Sequence, residues 1–282
     1  MTTAIQPAVP SLTLNNDITL PQIGFGTWQI KDDDDAADAV RSALDIGYRL
    51  IDTAMIYGNE AGVGAAVRYH EVPRDEIFVT TKLWNDSHDY DAALKAFDAS
   101  LNRLGLEYLD MYLIHWPVPS QDKFRQAWRA LERLYEEKRV RAIGVCNFKP
   151  HHLESLLQTA NIVPAINQIE LHPHLQQHAT REFCAKYGIQ VESYSPLMRA
   201  SRLLAADLQN IADKHGKTPA QITLRWHIQN GLLPIPKSAN DGRQRENLNI
   251  FDFALDDDDM AAINVMDQER IIVGDPDSPD FG

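Results

Sequence analysis

The sequence predicts an α/β fold, a (β/α)₈ TIM barrel with a short N-terminal β-hairpin, on three observations. Eight short apolar runs of strand-forming residues recur along the chain. Amphipathic segments of helical spacing fall between them, the alternation that builds a parallel sheet. No Pro/Gly/Ser-rich linker divides the 282 residues, so residues 1–282 are expected to form one barrel domain that includes the C-terminal tail. Eight strand–helix units in about 250 residues is the size of such a barrel.

The hairpin comes first, in SLTLNNDITLPQIG, with Asn15, Asn16 and Asp17 supplying the turn. The strand candidates follow as IGFGTW (23–28), YRLID (48–52), IFVTTKL (77–83) and YLDMYLIH (108–115). They continue as RAIGVCN (141–147), AINQIE (165–170), IQVESYS (189–195) and LLPIPK (232–237). Helical spacing is plainest over 90–104, 122–138 and 176–187. The rival architecture is a doubly wound open sheet, which would carry GxGxxG after an early strand. GFGTW lacks the third glycine, and GVGAAV (62–67) lies inside a predicted helix.

Composition narrows the function classes. A formal charge of −13 argues against a nucleic-acid binder, which would show a basic face. No apolar stretch approaches the ~20 residues that span a bilayer, and MTTAIQPAVPSLTL lacks the pattern of a signal peptide. Two cysteines, Cys146 and Cys184, imply no disulfide framework. A cytoplasmic enzyme with a small-molecule partner is the expectation. The acid runs at 32–35 and 256–259 precede helix-like segments, where carboxylates face the helix dipole favourably.

In a barrel, chemistry is carried at the C-terminal ends of strands and in the loops after them. Those positions hold Asp52 and Tyr57 for the second strand, Lys82 for the third and His115 for the fourth. Charged groups are seldom fully buried unless paired, so the set suggests a proton-donating device rather than packing. A free tyrosine titrates near ~10, and a neighbouring ammonium lowers that value. Lys82 can supply the ammonium, Asp52 can keep it protonated, and His115 can orient a polar substrate atom. The plain alternative is a structural Asp52–Lys82 pair with Tyr57 as a loop aromatic. Protonating a carbonyl oxygen needs a hydride source as partner, hence a cofactor. Asn147 and Gln168 can bind a carboxamide, and Tyr194 can stack on a flat ring with Ser195 beside it. PKSANDGRQREN (236–247) concentrates Lys237, Ser238, Arg243 and Arg245 at a helix start, an anion site in kind.

GYRLIDTAMIYGNE, TTKLWND, YLIHWP, IGVCNF, NQIELHP, SYSPL and IPKS…R..EN, in that order and in register, are the most specific stretches of a resemblance that runs over nearly the whole chain. On these motifs the sequence resembles the aldo-keto reductases, and among them the bacterial 2,5-diketo-gluconate reductases. The resemblance implies a TIM barrel that binds NADPH without a Rossmann domain and reduces a carbonyl, acting as a monomer. It implies a catalytic tetrad of Asp52, Tyr57, Lys82 and His115, with Tyr57 as general acid. For the cofactor it implies Asn147 and Gln168 at the carboxamide and Tyr194 on the nicotinamide. Gly26, Thr27, Ser195 and Leu197 are implied along its length. Lys237, Ser238 and Arg243 are implied at the 2′-phosphate, and Glu246 and Asn247 at the adenine. Trp28, Trp84, His115 and Trp116 are implied around the substrate. No metal is implied.

The chain departs from the family pattern at three places. Cys146 stands where a serine is usual, which is expected to weaken one carboxamide hydrogen bond. Met198-Arg199-Ala200-Ser201-Arg202 replaces a Gly-rich segment after SPL. Asn240-Asp241 replaces more basic or Thr-Pro residues, which bears on the preference for NADPH. Substrate choice is expected to rest on the loop after Tyr194 and on the tail DQERIIVGDPDSPDFG. Two competing readings come from other classes. His172, His174 and His178 suggest a metal-dependent hydrolase, without the carboxylates at other strand ends that would complete a shell. A non-enzymatic nucleotide-binding subunit of the same fold is the other, against which stands the retention of all four tetrad residues.

Overall fold

The structure, a computed structural model, describes residues 9–199 and 202–278, with side chains at 202–205 outside the description. The first eight residues, Ala200 and Ser201 of the departing loop, and the last four residues of the tail lie outside the described residues. β1 (Ser11–Thr13) and β2 (Thr19–Pro21) pair antiparallel as the hairpin. Asp17, at φ 65°, makes the tight reversal, and its N–H donates to Leu14 O at 3.0 Å.

Eight parallel strands follow. They are β3 (Phe25–Gly26), β4 (Leu50–Asp52), β5 (Phe78–Leu83), β6 (Leu109–Ile114), β7 (Val140–Cys146), β8 (Ile166–Glu170), β9 (Gln190–Tyr194) and β10 (Leu233–Pro234). Neighbours in sequence are neighbours in the sheet. The sheet closes on itself where Gly24 N donates to Pro234 O at 3.0 Å and Gly26 N to Pro236 O at 3.1 Å. The eighth run was expected to be a strand of six residues. Pro234 and Pro236 have no N–H to give a ladder, so β10 is two residues long and contributes carbonyls instead.

The helices are α1 (Asp33–Ile46), α2 (Glu60–Tyr69), α3 (Tyr90–Leu104), α4 (Phe124–Glu136) and α5 (Pro150–Leu157). After them come α6 (His178–Lys186), α7 (Arg202–His215), α8 (Pro219–Gln229), α9 (Asp241–Leu248) and α10 (Asp257–Asn264). Asp32 caps α1 by accepting from Asp35 N at 2.7 Å, and Asp256 caps α10 by accepting from Asp259 N at 2.9 Å. Both acid runs are therefore helix starts. Among the described residues, no helix is long and apolar enough to cross a membrane.

Strand alternation sorts the core into two. One set, with Ile51, Val79, Tyr112, Ile114, Ile143 and Val191, packs outward against the helices. The other, with Leu50, Phe78, Met111, Leu113, Ala142 and Ile166, forms a cluster with Leu14 and Leu20 of the hairpin. The hairpin is thus part of the interior packing, and Asn15 Nδ2 and Asn16 Nδ2 tie it to Pro164 O and Arg141 O.

GVGAAV proves to be a close-packing motif on α2. A Cβ on Gly62 would lie 2.0 Å from Asp33 O, and one on Gly64 would lie 1.9 Å from Leu104 O. Alanine gains about 1 kcal/mol of helix propensity over glycine, whereas overpacking costs about 1–3 kcal/mol or more. The obstacle at Gly64 is backbone, so the clash wins. Gly64→Ala is expected to lower stability by about 1–2 kcal/mol, read as a lower urea midpoint. A midpoint at or above wild type would refute the close approach.

Candidate active site

Asp52 is the last residue of β4 and is 2% exposed. Thr27 holds the strand end from the neighbouring strand, its N–H and Oγ1 both 3.0 Å from Asp52 O. Lys82 on β5 is wholly buried, and its Nζ donates to Asp52 Oδ1 at 2.7 Å, Asp52 Oδ2 at 2.8 Å and Thr53 O at 2.8 Å. All three ammonium protons have acceptors, which a buried lysine needs. Tyr57 ends a short 3₁₀ turn over Met55–Tyr57, and Gly58 at φ 70° reverses the chain after it. Asn59 fixes that turn by donating to Thr27 O and Ile30 O and accepting from Thr53 Oγ1.

These anchors bring Lys82 Nζ to 5.2 Å from the centre of the Tyr57 ring. His115 follows β6 and sits edge-on to Tyr57 at 5.9 Å and to Trp84 at 5.1 Å between ring centres. Trp116 stacks beside it at 6.5 Å. The Nδ1 atom of His115 is buried without a partner among the described residues.

Burial dominates the electrostatics here. It works against the Lys82 ammonium, yet the Asp52 carboxylate and the Tyr57 hydroxyl together hold that ammonium above its ordinary value. For Tyr57, burial pushes the phenol up, the Lys82 charge pulls it down, and burial wins at about 12. The sequence reading, in which Lys82 lowers Tyr57 below its free value, is corrected: the pull exists but is outweighed. Burial, with the Lys82 charge behind it, keeps His115 well below its ordinary value. At neutral pH the site therefore holds a charged lysine, a protonated phenol and a neutral imidazole.

Above this floor lies a cavity of about 1040 Å³. Its wall includes Gly26, Trp28, Asp52, Tyr57, Trp84, His115, Trp116, Asn147, Gln168, Tyr194, Ser195 and Leu197. Lys237, Ser238, Arg243, Glu246 and Asn247 line it too. Asn147 tops β7 at φ 64° and Ser195 tops β9 at φ 48°, left-handed conformations that non-glycine residues hold only under constraint. Tyr194 Oη donates to Asn147 Oδ1 at 2.8 Å, and Asn147 Nδ2 donates to His115 O at 2.9 Å. Ser238 is held by its own loop, exchanging bonds with Asn240 N and O. Asn240 caps α9 by accepting from Arg243 N at 3.0 Å. Lys237 and Arg243 are exposed and form no salt bridge among the described residues.

Two of the expected site residues are not on the wall. Lys82 lies behind Asp52 and Tyr57, and Thr27 turns its hydroxyl back onto Asp52 O rather than toward the cavity. Cys146 is also off the wall: it is wholly buried in the interior cluster, and burial holds its thiol well above its ordinary value. His172, His174 and His178 do not converge, each facing a different carboxylate: Glu170 at 3.1 Å, Asp207 at 2.9 Å and Asp267 at 3.4 Å.

Other residues that matter to the site's shape had no motif. Arg199 places its guanidinium 4.7 Å from the Trp28 ring centre and lines the cavity. Val273 brings the tail onto the wall, held where Glu170 accepts from Ile272 N and Val273 N at 2.8 and 2.9 Å. Glu192 is a buried carboxyl under the site, 1% exposed. Its signal was present in the sequence, as an acid two residues before Tyr194 and so in the same inward phase of β9.

Comparison with known proteins matches residues 22–268 to the Aldo/keto reductase family. A 9,11-endoperoxide prostaglandin H2 reductase of Trypanosoma cruzi is 50% identical over 270 residues, 95% of each chain. A glyoxal reductase of Bacillus subtilis is 45% identical over 95% of this chain and 96% of its own. A crystal structure of a Gox0644 variant in complex with NADPH is 45% identical, with a TM-score of 0.91 over 96% of this chain and 98% of that one.

Proposed function

The chain belongs to the aldo-keto reductase family, and from that premise we propose a monomeric, cytoplasmic enzyme that uses NADPH to reduce small polar carbonyl compounds to alcohols. The observation that carries this reading is the convergence of Asp52, Tyr57 and His115 on one cavity, with Lys82 bonded to Asp52 directly behind them, while the same wall bears Lys237 and Arg243, cations with no salt bridge among the described residues. Two buried, unbridged cysteines suit a reducing compartment.

The donor set fits the cofactor. Lys237 and Arg243 offer charge to a phosphate, with Ser238 bracing the loop between them, and Asn147, Gln168 and Tyr194 offer amides and a ring to a nicotinamide. NADPH supplies the hydride when bound. The chain's own part is proton transfer and orientation. His115, neutral, orients the carbonyl oxygen, and Tyr57 gives that oxygen its proton. Lys82 stabilises the phenolate left behind, and Asp52 holds Lys82 charged and in place. A phenol near 12 still donates downhill to an alkoxide, whose alcohol is about as weak an acid as bulk water and far weaker than the phenol.

Small dicarbonyls such as glyoxal are the substrates this reading favours, on the strength of the Bacillus subtilis relative. A keto-sugar acid such as 2,5-diketo-gluconate is the second reading, favoured by the Arg199 guanidinium on the cavity wall. An NADPH-oxidation assay across glyoxal, neutral aldehydes and keto acids tests both. Turnover of none of them would refute the proposal.

The phosphate clamp has its own test. Charge-assisted hydrogen bonds contribute about 1.5–3 kcal/mol, so Lys237→Ala or Arg243→Ala is expected to raise KM for NADPH by about tenfold or more. KM for NADH should barely move. Equal losses with both cofactors would remove these residues from the 2′-phosphate.

A further inference from the structure

Gln168 is level with Glu192 in the β8–β9 ladder. Its Nε2 donates to Asp52 Oδ2 at 2.9 Å and to Glu192 Oε2 at 3.1 Å. Both hydrogens of that amide are thus directed inward, between two buried carboxyl groups. The reverse orientation would set the amide oxygen against the Asp52 carboxylate, which has no proton to give it, so the placement of nitrogen is dictated by chemistry. What Gln168 has left to offer the cavity is its carbonyl oxygen.

We infer that Glu192 is a positioning residue for the reduction: by accepting from Gln168 it turns the Gln168 carbonyl toward the carboxamide of the cofactor and, through the shared nitrogen, steadies Asp52 against Lys82. The inference rests on the NADPH reading given above. Removing Glu192 as acceptor leaves Gln168 free to rotate away from Asp52. A carboxamide N–H would then meet an amide that is disordered or reversed.

The charge state of Glu192 agrees with this role. Burial, then repulsion from Asp52, pushes its carboxyl up to about 8, against the opposing pull of the Gln168 bond and the Lys82 charge. At neutral pH it is a neutral acid that accepts through Oε2. Its Oε1 is buried without a partner among the described residues, a position that an ionised oxygen would occupy at far greater cost than a neutral one. A glutamine can accept from Gln168 in the same way, whereas a leucine cannot.

The test titrates NADPH and adenosine 2′,5′-bisphosphate, which lacks the nicotinamide half, into wild type, Glu192→Leu and Glu192→Gln. Binding is followed by quenching of protein fluorescence. Glu192→Leu is expected to weaken NADPH by about fivefold, the net worth of one hydrogen bond, and to lower kcat, with bisphosphate binding unchanged. Glu192→Gln is expected to match wild type in all three readouts. The inference is overturned if Glu192→Leu matches wild type, if it loses both ligands equally, or if Glu192→Gln behaves as Glu192→Leu. A wild-type chain that binds neither ligand would instead overturn the cofactor reading on which the inference stands.

Discussion

Tyr57→Phe is expected to lower kcat for carbonyl reduction by about 10²–10⁴-fold, the usual worth of a positioned acid, and to leave NADPH affinity unchanged. The substitution removes one hydroxyl from a ring whose position is set elsewhere. Gly58 reverses the chain behind it, Asn59 ties the turn down, and His115 packs edge-on against the ring. The cavity therefore keeps its shape while its proton donor is lost. The pH dependence distinguishes the two candidate donors. Were His115 the acid, wild-type kcat would rise as pH falls through about 6.5, where a free imidazole gains its proton. Burial and the Lys82 charge hold His115 neutral far below that point. Tyr57, pushed up to about 12, keeps its proton throughout the neutral range, so kcat is expected to be level between roughly pH 6 and 7.5. A Tyr57→Phe enzyme with near-normal turnover, or a wild-type rate that climbs toward acid, would assign the proton elsewhere.

What the sequence made legible depends on how local each signal is. The barrel strands β4 to β9 declare themselves because apolar alternation is a property of five or six consecutive residues. The hairpin does so because Asn15, Asn16 and Asp17 favour a reversal. Asp52, Lys82 and His115 stand out for a related reason: each interrupts an apolar run at its C-terminal end. The shortness of β10 is legible too, in Pro234 and Pro236, which bring no N–H groups to a ladder. Other features depend on what lies opposite, and no run of residues carries that. Whether Tyr57 is driven up or down is a contest between burial and one ammonium, decided only when both are placed. Thr27 sits beside wall residues in sequence, yet its hydroxyl is taken by Asp52 O. Arg199 is itself the second of a left-handed pair, after Met198, and it is that backbone, not the composition, that brings its guanidinium over Trp28. The orientation of Gln168 follows from two acids on different strands, one of which closes its own apolar run while the other lies within β9.

Lys82→Met is expected to lower stability by about 3–5 kcal/mol, because it leaves the Asp52 carboxylate buried without its counter-charge. Lys82 gives three hydrogen bonds of 2.7–2.8 Å, two of them to Asp52. Gln168 Nε2 remains as a donor to Asp52, but a neutral amide cannot replace an ammonium. For a chain of this size the thermal midpoint should fall by roughly 10 °C. The pair itself is a different matter from either half. Two buried ions lose their hydration on folding, and replacing both with neutral groups is often close to neutral in stability. Asp52→Asn combined with Lys82→Met should therefore recover much of what Lys82→Met alone loses, while turnover stays abolished in both. The pH sign separates this from mere loss of packing. The Lys82 pKa is raised on folding, so its contribution is complete below the unfolded-chain value of about 10.4 and is lost as pH climbs through the folded one. The gap between wild type and Lys82→Met should be constant across neutral pH and narrow only above that value. A double variant whose losses simply add, or a gap that fails to narrow above that value, would mean that Lys82 is held for its bulk and not for its charge.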